Sequence, residues 1–288
     1  MSRVGVIGGS ALYELENIVI LKKKRVTTPF GDPSDEITIG KIHNRDVCFL
    51  PRHSRGHKTL PSEINNRANI YALKKLGVDV IVSVSAVGSL KENIKPMDIV
   101  LIDQFVDRTN CARNMTFFGN GIVAHIPFAE PICPSVRETI YKSNKGIGAK
   151  IHDGGTYVNI EGPAFSTRAE SYLYKSWGMD VIGMTNLPEA KLSREAGICY
   201  ATIAMVTDYD CWSHDTDIET VSVELIIETL MKNIEVAKKM VANTIKALPE
   251  KRACRCGNAL GNAVITDKNV ITEEVKKKLD VIIAGHID

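Results

Sequence analysis

Apolar residues in this chain gather in short continuous runs. Val78-Asp79-Val80-Ile81-Val82-Ser83-Val84 and Ile198-Cys199-Tyr200-Ala201-Thr202-Ile203-Ala204 stand out, each bounded by turn residues or polar groups. Such runs predict strands covered on both faces. Arg3–Gly8, Ile37–Ile42, Asp46–Leu50, Ile99–Ile102, Gly154–Ile160 and Trp177–Asn186 predict further strands, the second and third forming a hairpin around His43-Asn44. Other stretches repeat at helical spacing. A helix opens at Pro61 and carries Ile64, Ala68, Tyr71, Ala72 and Leu73 before ending near Gly77. Others are expected from Pro134 to about Lys145 and from Leu187 to about Ala196. A long one, Val221 to about Leu248, shows Leu225, Ile226, Leu230, Ile234, Ala237, Val241 and Ile245 on one face and stops at Pro249. Strands that feed helices predict an α/β fold: one domain with a central mixed, twisted sheet flanked by helices. Its expected extent is 1–249. Residues 250–288 change character and read as a C-terminal extension packed on the same domain.

The chain has 288 residues, a formal net charge of +2 and 44% hydrophobic residues, enough for one large core without staples. Near-neutral charge gives no electrostatic case for nucleic acid or a membrane surface as partner. The N-terminal apolar run is too short for a signal peptide, and no window approaches the roughly 20 apolar residues of a membrane span. A cytoplasmic location is expected. The seven cysteines contain no CxxC pair, so their spacing predicts no metal site. Cys254-Arg255-Cys256 leaves open the disulfides found inside hyperthermophile cells.

The chemistry sits where strands should end. Ile7 runs into Gly8-Gly9-Ser10, where a hydroxyl and bare N–H groups suit an anion. The pattern is not the GxGxxG of dinucleotide binding. Pro51 leads into Arg52-His53-Ser54-Arg55-Gly56-His57, four potential cations in six residues, and arginine offers a planar fork for phosphate. The strand at 78–84 is expected to open into a small-residue loop, Ser85-Ala86-Val87-Gly88-Ser89. Residues 107–130 have little periodicity, as functional or interfacial segments often do. Glu161-Gly162-Pro163-Ala164-Phe165-Ser166 puts an aromatic on a rim, able to stack on a flat ligand. The run at 198–204 is followed by Asp208 and Asp210, which share one side of an extended backbone. Ionised carboxylates accept hydrogen bonds and protonated ones donate, so the pair suits a ring nitrogen beside an amino group. An anion, a flat ring and a protonatable nitrogen together suggest a nucleoside and phosphate.

These motifs carry a resemblance. GVIGGS at 5–10, TPFGDPSD at 28–35, PRHSRGH at 51–57, AVGSL at 86–90, DQFVDRT at 103–109, IEGPAFSTRAES at 160–171 and TDYDCW at 207–212 resemble the 5'-methylthioadenosine phosphorylases, the trimeric branch of the purine nucleoside phosphorylase family. The tail after Pro249 resembles that of some archaeal members. The resemblance implies the type I nucleoside phosphorylase fold and reversible phosphorolysis of methylthioadenosine to adenine and 5-methylthioribose-1-phosphate. The alternative is a broad-specificity purine nucleoside phosphorylase acting on adenosine, inosine or guanosine.

Carried over residue by residue, phosphate is held by Ser10, Arg52, His53, Ser85, the Ala86 backbone and Thr185. The nucleoside is held by Phe165, Ser166, Met184, Val223 and Ile226, with His125 arriving from a neighbouring copy. Asp208 is the acid at N7 of the leaving base, and Asp210 helps read the 6-amino group. An acid at 208, where asparagine would suit a 6-oxo base, favours 6-amino purines. No cofactor is implied; phosphate is a co-substrate, and the assembly is a homotrimer or homohexamer. Given this resemblance, a hyperthermophile source would make Cys133–Cys199 and a strained, labile Cys254–Cys256 the candidate disulfides; the sequence leaves their oxidation state open.

Overall fold

A computed structural model describes residues 3–9, 12, 18–110, 113–213 and 223–287, the side chains at 223–225 excepted. Its strands are β1 (Arg3–Gly8), β2 (Val19–Lys24), β3 (Ile37–Ile42), β4 (Arg45–Pro51), β5 (Val78–Ser89), β6 (Ile99–Leu101), β7 (Gln104–Arg108), β8 (Ile151–Asp153), β9 (Thr156–Ile160), β10 (Val181–Gly183) and β11 (Cys199–Tyr209). Its helices are α1 (Asn66–Lys75), α2 (Pro134–Ser143), α3 (Arg168–Ser176), α4 (Asn186–Glu195), α5 (Val223–Ala247), α6 (Glu273–Lys278) and α7 (Asp280–Ile283). The described strands form one mixed sheet in the order β2-β3-β4-β1-β5-β10-β9-β7, with β11, β6 and β8 branching from β5. This is the expected α/β architecture.

The two most apolar runs become the two longest strands, β5 and β11, buried along almost their whole length and paired in parallel. Both outrun the sequence expectation. β11 covers one edge of β5 from Val80 to Ser89. On the other edge β1 pairs only as far as Ser83, and β10 joins antiparallel at Gly88 and Ser89. Ser85 and Ala86 therefore lie in a strand and not in a loop. The stretch Val84–Val87 is paired on one edge and has no strand on the other among the described residues. That interruption in the sheet positions the candidate site.

Smaller departures have local causes. Pro61 opens only a 3-10 turn, Pro61–Glu63; α1 begins at Asn66, where the Asn65 side chain caps it by accepting from the Ala68 N–H. The hairpin turn is as expected, with His43 and Asn44 at φ 47° and 62°. The sequence reading assigned no range to β2, whose short apolar run Val19-Ile20-Leu21 stays exposed along with the lysines that follow it. The interval between β7 and α2 contains no helix or strand among its described residues, only an isolated bridge from Ala124 to Val264.

The C-terminal residues pack on this body. Leu260, Ile271, Leu279, Ile282 and Ile283 are buried in the main hydrophobic core, and Arg45 donates to the Leu248 carbonyl at 2.5 Å. No helix among the described residues is long and apolar enough to cross a membrane. The described cysteines are all free thiols. The Sγ of Cys199 lies 3.1 Å from that of Cys254, a neighbour that the expected pairing does not contain.

Candidate active site

Asp208 and Asp210 lie where β11 leaves the sheet. The ladder with β5 shifts between Val206 and Asp208, so Thr207 is a bulge and Asp208 comes opposite Gly88. Bulges re-aim side chains, and here the effect is visible: a Cβ placed on Gly88 would lie 3.4 Å from Asp208 Oδ2 and 3.6 Å from Asp210 Cβ. Thr207 Oγ1 donates to Asp208 Oδ1 at 2.6 Å and also lies 3.2 Å from the Val87 carbonyl. Burial pushes the Asp208 carboxyl up to about 7; the Thr207 hydrogen bond opposes the rise and Asp210 adds to it. Asp210 is raised as well, by burial first. The Ser171 hydroxyl, the Cys211 backbone N–H and the Ser166 hydroxyl soften the rise, yet Asp210 Oδ2 is buried without a hydrogen-bond partner. A buried acceptor left open in this way suits a donor brought by a ligand.

Arg52, only 3% exposed, is locked into a buried network at the end of β4. Its Nε donates to Glu189 Oε1 at 2.5 Å, its Nη2 to Ser83 Oγ at 2.6 Å and to Glu189 Oε2 at 3.2 Å, and its Nη1 to the Val84 carbonyl at 2.9 Å. Of the five N–H groups of a guanidinium, one on Nη1 is left. The expected open fork for phosphate is thus turned toward Glu189. His53, unlike Arg52, is not a cation. Burial first, then the Arg52 charge, hold its imidazole down at about 4. Its Nδ1 lies 2.8 Å from the Thr59 carbonyl, so the proton sits there and Nε2 is an acceptor. Arg55 Nε lies 4.0 Å from Asp35 Oδ2, an oxygen that also accepts from the Arg55 backbone N–H at 2.8 Å. The loop that reads as four cations carries far less free positive charge.

Anion-binding character comes instead from hydroxyls and main-chain dipoles. Ser85 Oγ is 3.5 Å from Thr185 Oγ1. Thr185 is the N-cap of α4, yet its hydroxyl makes no capping bond and stays available. The positive end of α4 points to the same place. Along β5 the Val84 carbonyl faces Arg52 and Gly88 faces β10. Alternation then turns the Ala86 amide between them into the interruption of the sheet edge. Ser10 lies outside the described residues.

The loop after β9 forms the other wall. Gly162 has φ 69°, which strains a residue with a side chain, and a Cβ there would come within 2.5 Å of the Sδ of half-buried Met184. Phe165 is 49% exposed on the rim, and the Ser166 hydroxyl is buried without a partner. The Thr167–Glu170 capping box then starts α3. Ile226 is half-buried on α5; the side chain of Val223 lies outside the described residues. His125 is exposed, its backbone N–H bonded to the Ala263 carbonyl of the C-terminal extension at 2.8 Å.

Two residues to which the sequence reading gave no role are central here. Glu189 accepts from Arg52, Ser83 and Tyr200. Arg113 donates to Glu161 Oε1 at 2.8 Å and to the Glu161 and Met184 carbonyls, tying both walls of the site together. Glu189 sits at an unremarkable helical position and Arg113 in an aperiodic stretch. Only partners distant in sequence reveal them.

Comparison with known proteins shows the family. Residues 3–246 match the family model described as phosphorylase superfamily. An S-methyl-5'-thioadenosine phosphorylase of Geobacter sulfurreducens is 54% identical over 99% of both chains. One from Thermofilum pendens is 46% identical over 91% of this chain and 98% of its own. Among solved structures, a methylthioadenosine phosphorylase from an antarctic soil metagenomic library superposes with TM-score 0.92 at 44% identity, covering 98% of each chain. The Schistosoma mansoni methylthioadenosine phosphorylase in complex with adenine gives 0.84 at 32% identity over 99% of each.

Proposed function

This chain belongs to the phosphorylase superfamily, and from that premise we propose that it is an enzyme catalysing the reversible phosphorolysis of methylthioadenosine to adenine and 5-methylthioribose-1-phosphate. Phosphate is the co-substrate. Its oxygen attacks C1' of the ribose as the bond from C1' to N9 breaks, leaving positive charge on the sugar and negative charge on the base. The hydroxyls of Ser85 and Thr185, the Ala86 amide and the start of α4 hold the phosphate against the sugar, with Ser10 closing the set. His53 accepts a hydroxyl proton from phosphate or ribose, and Arg52 lends its remaining Nη1 hydrogen. Met184 lies under the ribose, and Phe165 and Ser166 cover the base.

Asp208 gives its proton to N7 of the leaving adenine, and Asp210 accepts from the 6-amino group. The observation that carries this reading is the buried Asp208 carboxyl, raised to about 7 beside the unpartnered Asp210 oxygen. It holds a proton near neutrality and can release it as the base departs. General acid help of this kind is worth roughly 10²–10⁴-fold, and an enclosed site strengthens it. Val223 and Ile226 line the pocket for the 5'-methylthio group, with His125 reaching it from a neighbouring copy in a trimer or hexamer. Residues 1–249 are the catalytic domain, and 250–288 an extension upon it.

The test is base release from methylthioadenosine, adenosine and inosine, each with and without phosphate. Phosphate-dependent release, fastest with methylthioadenosine, is expected. Faster inosine cleavage would move the substrate class to 6-oxo purines; release without phosphate would remove the mechanism.

A further inference from the structure

Three separate parts of the chain deliver cysteines to one point far from the acid pair. Cys133 is the N-cap of α2, Cys199 is the first residue of β11, and Cys254 and Cys256 come from the C-terminal extension. Their four sulfur atoms all lie within 4.8 Å of one another. Cys133, Cys199 and Cys256 are buried and Cys254 is partly so. No other group of three or more metal-ligating side chains converges in this way among the described residues.

We propose that Cys133, Cys199, Cys254 and Cys256 form a structural zinc site that fastens the C-terminal extension to the root of β11. The spacing fits one tetrahedral ion: zinc bound by thiolates at about 2.3 Å sets its sulfurs about 3.8 Å apart. The Cys199 and Cys254 sulfurs lie 3.1 Å apart and no pair of the four is more than 4.8 Å apart, a range that admits that value. Four thiolates leave no open position, so the site is structural and takes no part in phosphorolysis. An all-sulfur tetrahedral set selects zinc or iron over harder cations.

The surroundings are built for negative charge. A zinc ion with four thiolates carries two negative charges in excess. The N-terminus of α2 begins at Cys133 and opposes that charge. Arg252 Nη1 lies 4.0 Å from Cys199 Sγ, and the Gly197 carbonyl accepts from it at 2.7 Å. The Arg194 charge also acts on Cys256. The backbone is fitted too. Cys133 N–H is bonded to the Tyr200 carbonyl at 2.8 Å, which fixes α2 against β11. A Cβ at Gly197 would lie 3.2 Å from the Gly257 carbonyl, so a glycine there lets the extension come close. Ligand spacing in sequence hid the site: one Cys-X-Cys pair is completed by two residues from distant elements. Binding converts thiols to thiolates and releases their protons to solvent, so affinity falls as the pH drops.

The experiment uses the full chain, purified without chelator from zinc-supplemented medium. Metal analysis is expected to find about one zinc per chain, and Cys256→Ser to lower it below about a tenth. Cobalt added to the zinc-stripped wild-type chain is expected to give the visible spectrum of a tetrahedral thiolate complex, a readout that needs no variant to fold. Stripping zinc is expected to expose four thiols to a thiol reagent and to lower the melting temperature. Wild-type chain without zinc, whether its four thiols are free or its mass is four hydrogens lower from two disulfides, overturns the proposal. So does a thiolate-bound iron in place of zinc.

Discussion

At the scale of single residues, Thr207 tunes the proposed acid. Its hydroxyl bonds Asp208 Oδ1 at 2.6 Å and holds that carboxyl below where burial alone would take it. Thr207→Val keeps the shape and removes the bond, so the alkaline limb of kcat/KM is expected to move to higher pH. An unmoved limb would separate the pH dependence from Asp208. Asp208→Asn is expected to lose roughly 10²–10⁴-fold in kcat and to abolish that limb. The same variant has a stability signature. The folded carboxyl titrates near 7, above its ordinary 3.8, so its contribution is full below 3.8 and is lost as the pH rises through about 7. Asp208→Asn is therefore expected to be more stable than wild type well above pH 7, by on the order of 4 kcal/mol in denaturant unfolding, a gap that narrows as the pH falls and closes only below the ordinary carboxylate value of 3.8. The acid pair is legible in the sequence because two acids directly follow an apolar run. Glu189 is not, because a glutamate in a helix looks solvated until its partner, 137 residues away, is known. Breaking that buried pair with Glu189→Gln is expected to cost about 3–5 kcal/mol and to raise the KM for phosphate, both measurable in one preparation.

At the scale of elements, the apolar runs predict β5 and β11 but not their ends. Ser85, Ala86 and Asp208 look like loop residues by composition. They are strand residues because each strand supplies the other with a partner past the point where its own sequence turns polar. Composition reports what a side chain prefers, and ladder pairing overrides it. The charged loop after β4 misleads in the opposite direction. Its cations are legible, but the acids that occupy Arg52 and Arg55 lie elsewhere in the chain. The loop after β9 depends on Gly162. Gly162→Ala adds a methyl against Met184 at a backbone angle that strains any side-chain-bearing residue, on the order of 1–3 kcal/mol. The KM for methylthioadenosine is expected to rise about tenfold or more while that for phosphate stays within about twofold, because Ser85 and Thr185 lie on other elements. Equal change in both constants would show that the loop does not act on the nucleoside alone.

At the scale of the whole molecule, the extension contributes five buried leucine and isoleucine side chains to the main core: Leu260, Ile271, Leu279, Ile282 and Ile283. Each such burial is worth about 1.5–3 kcal/mol, and a folded protein holds only about 5–15 kcal/mol in reserve. A chain stopped at Pro249 is expected to be insoluble or to melt without a cooperative transition in circular dichroism. The change in composition after Pro249 marks a boundary in sequence, yet the core runs across it, because a few apolar residues spaced through a polar tail are enough to dock it. The sheet carries a different signature in the time domain. The amides of β5 that face β11 are locked by a full ladder, whereas the Ala86 amide opens onto the edge where β1 has ended and β10 has not begun. Hydrogen–deuterium exchange should therefore find one fast amide in the middle of an otherwise slow strand, and phosphate should slow that amide more than any other in β5.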